Sequence, residues 1–358
     1  MSVPWGSLFA AAVFSAAGFC LFLLTFNRVI LGFKEGRLKD LVTGTAFLLL
    51  AVCPGLVGLV TGVTRWLALP AIFLGSVVAA EGIRMWARHR YRLLWPAETH
   101  NFNVSIAQPL TTSDLAMLRY EVVSERWTLP PLRVAHISDL HVGHQPTLGY
   151  YRAVEQLITR MSPDLLFITG DFATKGRAAT MLPEVLRWVT ARLGVFAVLG
   201  NHDYWAGAEE VAAAVRQAGV SVLQNDCQSL PFGDRALRLC GCDDPWGPSK
   251  WRPPSDPGHE LTMVLSHTPD NIYKLSRAGA FAVFSGHCHG GQIRLPGFGS
   301  IVVPSVYGRR FDHGYFLVNG THLFVTAGIG ASPPSFRVYC QPDVFIVDFR
   351  GVDGAERR

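Results

Sequence analysis

The sequence is short of charge. Only 16% of its 358 residues are Asp, Glu, Lys or Arg, against 49% hydrophobic, and intrinsic disorder, which needs the reverse balance, is excluded. With 35 glycines and 22 prolines it has too little of either for a collagen-like or low-complexity chain. Its seven cysteines, at 20, 53, 227, 240, 242, 288 and 340, make no CxxC pair and no even framework, so no disulfide scaffold is expected. Cys240 and Cys242, beside Asp243 and Asp244, lack the second half of a zinc site and read as structural. No basic run follows the first quarter of the chain: residues 1–95 hold nine Lys or Arg against three Asp or Glu, leaving 23 against 24 elsewhere. A near-neutral remainder gives no footprint for a phosphate backbone, and nucleic acid is not expected as a partner. No internal repeat is found.

What the first 95 residues do have is long charge-free stretches: Ser2 to Asn27, the 24 positions from Leu41 to Thr64, and the 15 from Trp66 to Ala80. A bilayer core takes about 20 apolar residues as helix, so about three transmembrane helices are expected. The third is marginal unless Glu81 sits near a headgroup. A cleaved signal peptide is set aside because no basic segment precedes the first stretch. Arg28, Lys34, Arg37 and Lys39 on one side, and Arg84, Arg88, Arg90 and Arg92 after the third stretch, outweigh Arg65 alone. The bias predicts a multi-pass inner-membrane protein with its C-terminal part in the cytoplasm. Residues 84–95, which interleave Arg with Trp86, Tyr91 and Trp95, fit either an interfacial element or the cytoplasmic end of span three.

The expected organisation is a membrane anchor at 1–95, a linker and lead-in strand at 96–131 with the strand from Tyr120 to Leu129, a catalytic domain at 132–350 and a flexible tail at 351–358. From Leu132, short apolar runs alternate with helical patterns, the mark of an α/β domain with buried strands.

Five of those runs end in residues that bind metals. Leu132 to Ile137 leads to Asp139 and His141, Asp164 to Thr169 to Asp171, and Val195 to Leu199 to Asn201, His202 and Asp203; Leu261 to Ser266 leads to His267, and Phe281 to Ser285 to His287 and His289. Ligands collect outside the carboxyl ends of strands in α/β sheets, so distance along the chain is no objection to one shared site. Asp139, His141, Asp171, Asn201, His267, His287 and His289 offer oxygen and imidazole without thiolate, a set suited to Mn, Fe or Zn. Seven ligands exceed one tetrahedral ion and suit two ions sharing a carboxylate. A lone strand-end His is usually a satisfied polar residue; five such ends in succession argue for a binuclear site.

These residues resemble the calcineurin-like metallophosphoesterases, with DxH at Asp139-Leu140-His141, GD at Gly170-Asp171, GNHD at Gly200-Asn201-His202-Asp203, then His267, and GHxH at Gly286-His287-Cys288-His289. The likeness runs from about Leu132 to Phe349. Gly290-Gly291-Gln292-Ile293 and Ala327-Gly328-Ile329-Gly330 are similar to a bacterial membrane-associated branch that includes phosphodiesterase-like proteins and an inner-membrane UDP-2,3-diacylglucosamine pyrophosphatase of lipid A synthesis. The resemblance implies a four-layer α/β/β/α sandwich. It also implies that Asp139, His141 and His289 hold one metal, that Asn201, His267 and His287 hold the other, and that Asp171 bridges them. His202 is implied as the acid or phosphate-binding group; Asp203, by its position next to it, is expected to orient it. Thr174 stands where an acidic residue often follows GD, Cys288 replaces the commoner Thr, and Pro342-Asp343 replaces Pro-Glu. GDxxDRG of the protein phosphatases is missing, which disfavours that activity.

Two divalent ions about 3.5–4 Å apart would activate water for in-line attack on phosphorus, with His202 protonating the leaving oxygen. The expected substrate is a phosphodiester or pyrophosphate, lipid-linked or nucleotide-linked, with a broad-specificity phosphodiesterase as the alternative. No protein partner is inferable. A non-catalytic scaffold is disfavoured because all seven ligand positions are filled. His136 is expected in the core, and His144, Arg294, Arg309 and Arg310 carry no assignment.

Overall fold

The computed structural model describes residues 4–28, 37–61, 67–91, 95–143, 147–174, 176–254 and 261–352. Lys34, Arg65, Arg92, His144 and residues 353–358 of the expected tail lie outside the described residues. Two units are distinguished, residues 1–90 with 304–310 and residues 91–303 with 311–358.

In the first unit the charge-free stretches are helices: α1 (Trp5–Arg28), α2 (Arg37–Phe47), α3 (Cys53–Thr61) and α4 (Ala68–Tyr91), with a π-helical turn at Leu48–Val52 joining α2 to α3. Three segments, Trp5–Phe26, Arg37–Val60 and Ala68–Tyr91, are long and apolar enough to cross a membrane. Small residues let α1 and α3 approach closely, as in membrane helix pairs: a Cβ on Gly55 would lie 1.9 Å from the Ser15 hydroxyl oxygen. Glu81, the charge that makes the third segment marginal, is 3.7 Å from the Arg309 guanidinium, and pairing is what a charge in an apolar setting requires.

The second unit begins with β1 (Glu98–His100), β2 (Ala116–Val123) and β3 (Leu132–Ile137), followed by α5 (Leu148–Met161), β4 (Leu165–Thr169), α6 (Leu182–Val185), β5 (Val195–Val198), α7 (Asn201–Gln217) and β6 (Ser221–Val222). Then come β7 (Cys227–Phe232), β8 (Arg235–Cys242), β9 (Leu261–Ser266), α8 (Ile272–Arg277), β10 (Ala282–Ser285), β11 (Arg294–Leu295), β12 (Gly299–Ser300), β13 (Gly314–Val318), β14 (Thr321–Val325) and β15 (Asp343–Arg350). One sheet has the order β1-β2-β15-β3-β4-β5-β6, a second β13-β14-β10-β9-β8-β7, and β11 pairs with β12 alone. Strand alternation sorts the core into two layers. Leu132 and Val134 of β3 join Phe167, Leu239, Leu265 and Phe284 between the sheets. Ala135 and Ile137 face Val154, Ile158, Val211 and Val215 of α5 and α7. This is the expected α/β/β/α order, the last layer being represented among the described residues by the short α8.

Two expectations are corrected. The lead-in strand is β2 at 116–123, not 120–129, because it pairs with β15 from Ala116↔Asp343 to Val123↔Arg350 and the chain then turns, the Trp127 amide donating to the Ser124 carbonyl. Cys227 and Cys240 form a disulfide, where none was expected. They stand directly opposite in the β7–β8 ladder, a register that cysteine spacing alone does not reveal.

Asp348 of β15 is gripped by Arg119 of β2 at 2.7 Å and Arg133 of β3 at 2.6 Å. Partial burial raises its pKa, but the two guanidiniums outweigh that and hold the carboxyl below its usual range. A depressed folded pKa contributes stability above the unfolded value and loses it as pH falls through the folded one. Asp348→Asn is therefore expected to cost about 1 kcal/mol at neutral pH, the upper end for a partly exposed pair. In denaturant melts the difference from the parent should shrink below the ordinary carboxylate range; a gap independent of pH would refute the ion-pair account.

Candidate metal centre

The site lies where β3, β4, β5, β9 and β10 end. Chain reversal at those ends is tight: Asp139, His141, Asp171, His287 and His289 all adopt positive φ, between 48° and 66°. Left-handed backbone costs a non-glycine residue about 1–2 kcal/mol, and such strain collects at functional sites where the surroundings over-determine it. Five of the seven candidate ligands carry it.

The loops interlock through backbone bonds. The Asp139 amide donates to the Gly170 carbonyl and the His141 amide to that of Asp171. The His287 amide donates to Asp139 Oδ2 and the His202 amide to Asp171 Oδ1. Gly286 is forced by proximity: a Cβ there would lie 1.9 Å from Ser138 Oγ and 2.3 Å from Asp139 Oδ2. Gly286→Ala is expected to destabilise by about 1–3 kcal/mol, the usual cost of overpacking, and to displace Asp139. Thermal unfolding and metal content check this; a variant unchanged in both would contradict the packing described.

All seven candidate ligands converge. Asp139, His141, Asp171 and His289 form one group of potential ligand atoms within 4.8 Å of one another, and Asp171, His267 and His287 form a second. Asp171 belongs to both, its Oδ2 lying 3.6 Å from His141 Nε2 and 3.3 Å from His267 Nε2. In the first group His141 Nε2 faces His289 Nε2 at 3.1 Å, and His289 Nε2 is 3.3 Å from Asp139 Oδ1. In the second, His267 Nε2 lies 3.1 Å from Asn201 Oδ1 and 3.2 Å from His287 Nδ1. Ring nitrogens that point at one another and at carboxylates leave room for a cation rather than for their own bonds. Asp139 Oδ1, buried and without a hydrogen-bond partner among the described residues, is the orphaned acceptor such an ion would satisfy. The donor set therefore fits divalent metal.

The electrostatics agree in part: at His267 burial is outweighed by the Asp171 carboxylate, which raises the imidazole to about 9. Burial pushes Asp139 up to about 7. Asp171 is also penalised by burial, but the neighbouring imidazoles, His267 first, hold it well below the usual carboxylate range. Burial keeps His141 and His289 neutral, the form in which imidazole ligates. Outer nitrogens are held as metal histidines require: His267 Nδ1 is 2.6 Å from the Thr169 carbonyl, and His141 Nδ1 is 3.0 Å from Thr174 Oγ1. Thr174, standing where an acidic residue often follows GD, is thus the partner of His141.

His202 is buried at the rim, its ring edge-on to His141 and 4.8 Å from Trp205 between centroids. The two oxygens of Asp203 accept the amides of Ala173 and Gly200. Asp203 is the third residue of α7 and its carboxylate reaches back to the N-cap Gly200 amide, so it braces two strand-end loops. His136 lies between the sheets, 2.9 Å from Thr169 Oγ1, with burial lowering its pKa to about 3. It is a core residue, as expected. Three neighbours were not anticipated: Trp205, Trp246, whose ring lies 5.5 Å from His267 and 5.1 Å from His287, and the buried Arg337. The tryptophans were findable as aromatics just beyond GNHD and the β8 end; Arg337 has no motif around it.

Comparison with known proteins gives concordant results. Residues 132–291 match the calcineurin-like phosphoesterase family. The chain is 26% identical over 237 residues to phosphodiesterase YaeI of Escherichia coli, covering 65% of this chain and 87% of that one. It is 27% identical to metallophosphoesterase YkuE of Bacillus subtilis, over 62% and 80% of the two chains. It is 29% identical to the UDP-2,3-diacylglucosamine pyrophosphatase LpxG of Chlamydia trachomatis, over 48% and 69%. With the buried Asp and His cluster, these matches identify residues 132–291 as a calcineurin-like metallophosphoesterase domain and support a metal-dependent phosphoester hydrolase.

Proposed function

We propose that this chain hydrolyses a phosphodiester or pyrophosphate bond with two divalent ions, one held by Asp139, His141 and His289, the other by Asn201, His267 and His287, with Asp171 shared. The carrying observation is that Asp171 belongs to both ligand groups. When bound, divalent ions supply Lewis-acid charge that polarises a phosphoryl group and strengthens water as a nucleophile near neutral pH. The chain's own part is to fix the ligands by strained, interlocked loops, to keep the His141 and His289 imidazoles neutral by burial, and to place His202, anchored through its amide on Asp171, where its ring can protonate a leaving oxygen.

The preferred substrate in this reading is a lipid-linked nucleotide, hydrolysed in lipid A synthesis at the inner membrane. Similarity to LpxG and the three apolar helices support it, because a membrane-held enzyme meets a lipid substrate without exposing acyl chains to water. Purified full-length protein in detergent should turn over UDP-2,3-diacylglucosamine with a much higher kcat/KM than bis(p-nitrophenyl) phosphate. Comparable values would favour the second reading, a broad phosphodiesterase.

One observation speaks for that second reading. Disulfides persist in oxidising compartments, and Cys227–Cys240 therefore favours an external domain, against the cytoplasmic placement drawn from the basic loops. A reporter fused after Arg358 and active only in the cytoplasm distinguishes the two: signal supports the nucleotide-sugar substrate, and silence supports the external phosphodiesterase.

A further inference from the structure

Arg337 is fully buried, and no carboxylate pairs with it among the described residues. A buried guanidinium without a counter-ion is costly unless every donor is used, and here the donors are spent on backbone carbonyls. Nε donates to the Gly330 carbonyl at 3.0 Å, Nη1 to the His289 carbonyl at 3.2 Å, and Nη2 to those of Ala327 at 2.6 Å and Gly328 at 3.2 Å. Nη2 also lies 3.4 Å from His289 Nδ1.

These acceptors sit on one candidate ligand loop and on a segment bonded to another. His289 opens the turn His289–Gly291. The 327–330 segment lies on the Asp139 loop, the Ile329 amide donating to the Ser138 carbonyl and the Gly330 amide to the Asp139 carbonyl. Arg337 is itself pinned, its amide donating to Thr112 Oγ1 and its carbonyl accepting from the Thr111 amide. One cation therefore joins the backbone of His289, through the 327–330 segment, to that of Asp139. Both belong to the same ligand group; among the described residues Arg337 donates no hydrogen bond to the His267–His287 group.

We propose that Arg337 is a positioning residue for one half of the metal centre, the half formed by Asp139, His141 and His289, and that it acts by cross-linking, through the 327–330 segment, the two loops that carry them. The planar five-donor fork is what the geometry uses, and a lysine ammonium cannot span the same acceptors. The proposal rests on the two-ion reading given above.

The test is calorimetric titration of metal-free, full-length protein in detergent with Mn²⁺. The parent is expected to bind two ions; a parent that binds fewer overturns the two-ion reading, and the proposal with it. Given two, Arg337→Ala should weaken one binding step by about 10–100-fold, the usual effect of losing an outer partner of a metal ligand, and leave the other step unchanged. Millimolar guanidinium should restore the lost step by filling the vacated space. Arg337→Lys, which keeps charge and stem, should show the same selective loss and carries the test if the alanine variant does not fold. Equal weakening of both steps, no weakening of either, or full binding by Arg337→Lys would overturn the assignment.

Discussion

Asp171→Asn is expected to leave the fold intact and lower kcat/KM by more than about a thousandfold. Asn tolerates left-handed backbone nearly as well as Asp, so the φ of 55° at this position is no obstacle. The amide can also still accept the His202 N–H that Oδ1 accepts now. What is lost is the charge that faces His141 and His267 from one oxygen. Metal ions supply several kcal/mol of transition-state stabilisation, and about 4 kcal/mol corresponds to about a thousandfold in rate. Turnover of an aryl phosphodiester, metal content and circular dichroism together check this. A folded variant with both ions and near-parental turnover would remove Asp171 from the centre.

The second large effect depends on the substrate. His202→Ala is expected to cost about 10²–10⁴-fold on a substrate with a poor leaving group, the range for general acid catalysis, and far less on a p-nitrophenyl ester, whose leaving oxygen needs no proton. The substituted residue keeps its backbone amide on Asp171, so metal content should not change. Equal losses on the two substrates would instead make His202 a phosphate-binding or structural group. Asp203→Asn should act differently, lowering stability through the braces at Ala173 and Gly200 and affecting both substrates alike.

The site was legible because each of five buried strands ends on a residue type with metal affinity, and strand ends converge in this architecture whatever their separation in sequence. The bracing role of Asp203 was harder to read, because adjacency to His202 drew attention away from its place as the third residue of a helix, where a carboxylate reaches back to the N-cap amide. The Cys227–Cys240 bond and the start of β2 both depend on strand register, which is set by pairing with β8 and β15 and not by local spacing. Arg337 was hidden for a related reason: it lies between Phe336 and Val338 with no motif around it, and its partners are carbonyls of residues 289 to 330. The left-handed turns at the ligands were equally unreadable, since Asp and His adopt that backbone only where the surrounding loops force it.

Metal stoichiometry tests the central claim most directly. Full-length protein, purified without added metal and examined by elemental analysis alongside its activity, is expected to hold two equivalents of divalent transition metal per chain, to lose turnover on chelation, and to regain it when divalent metal is returned. Undiminished phosphodiester hydrolysis by protein stripped to below one equivalent would contradict the account.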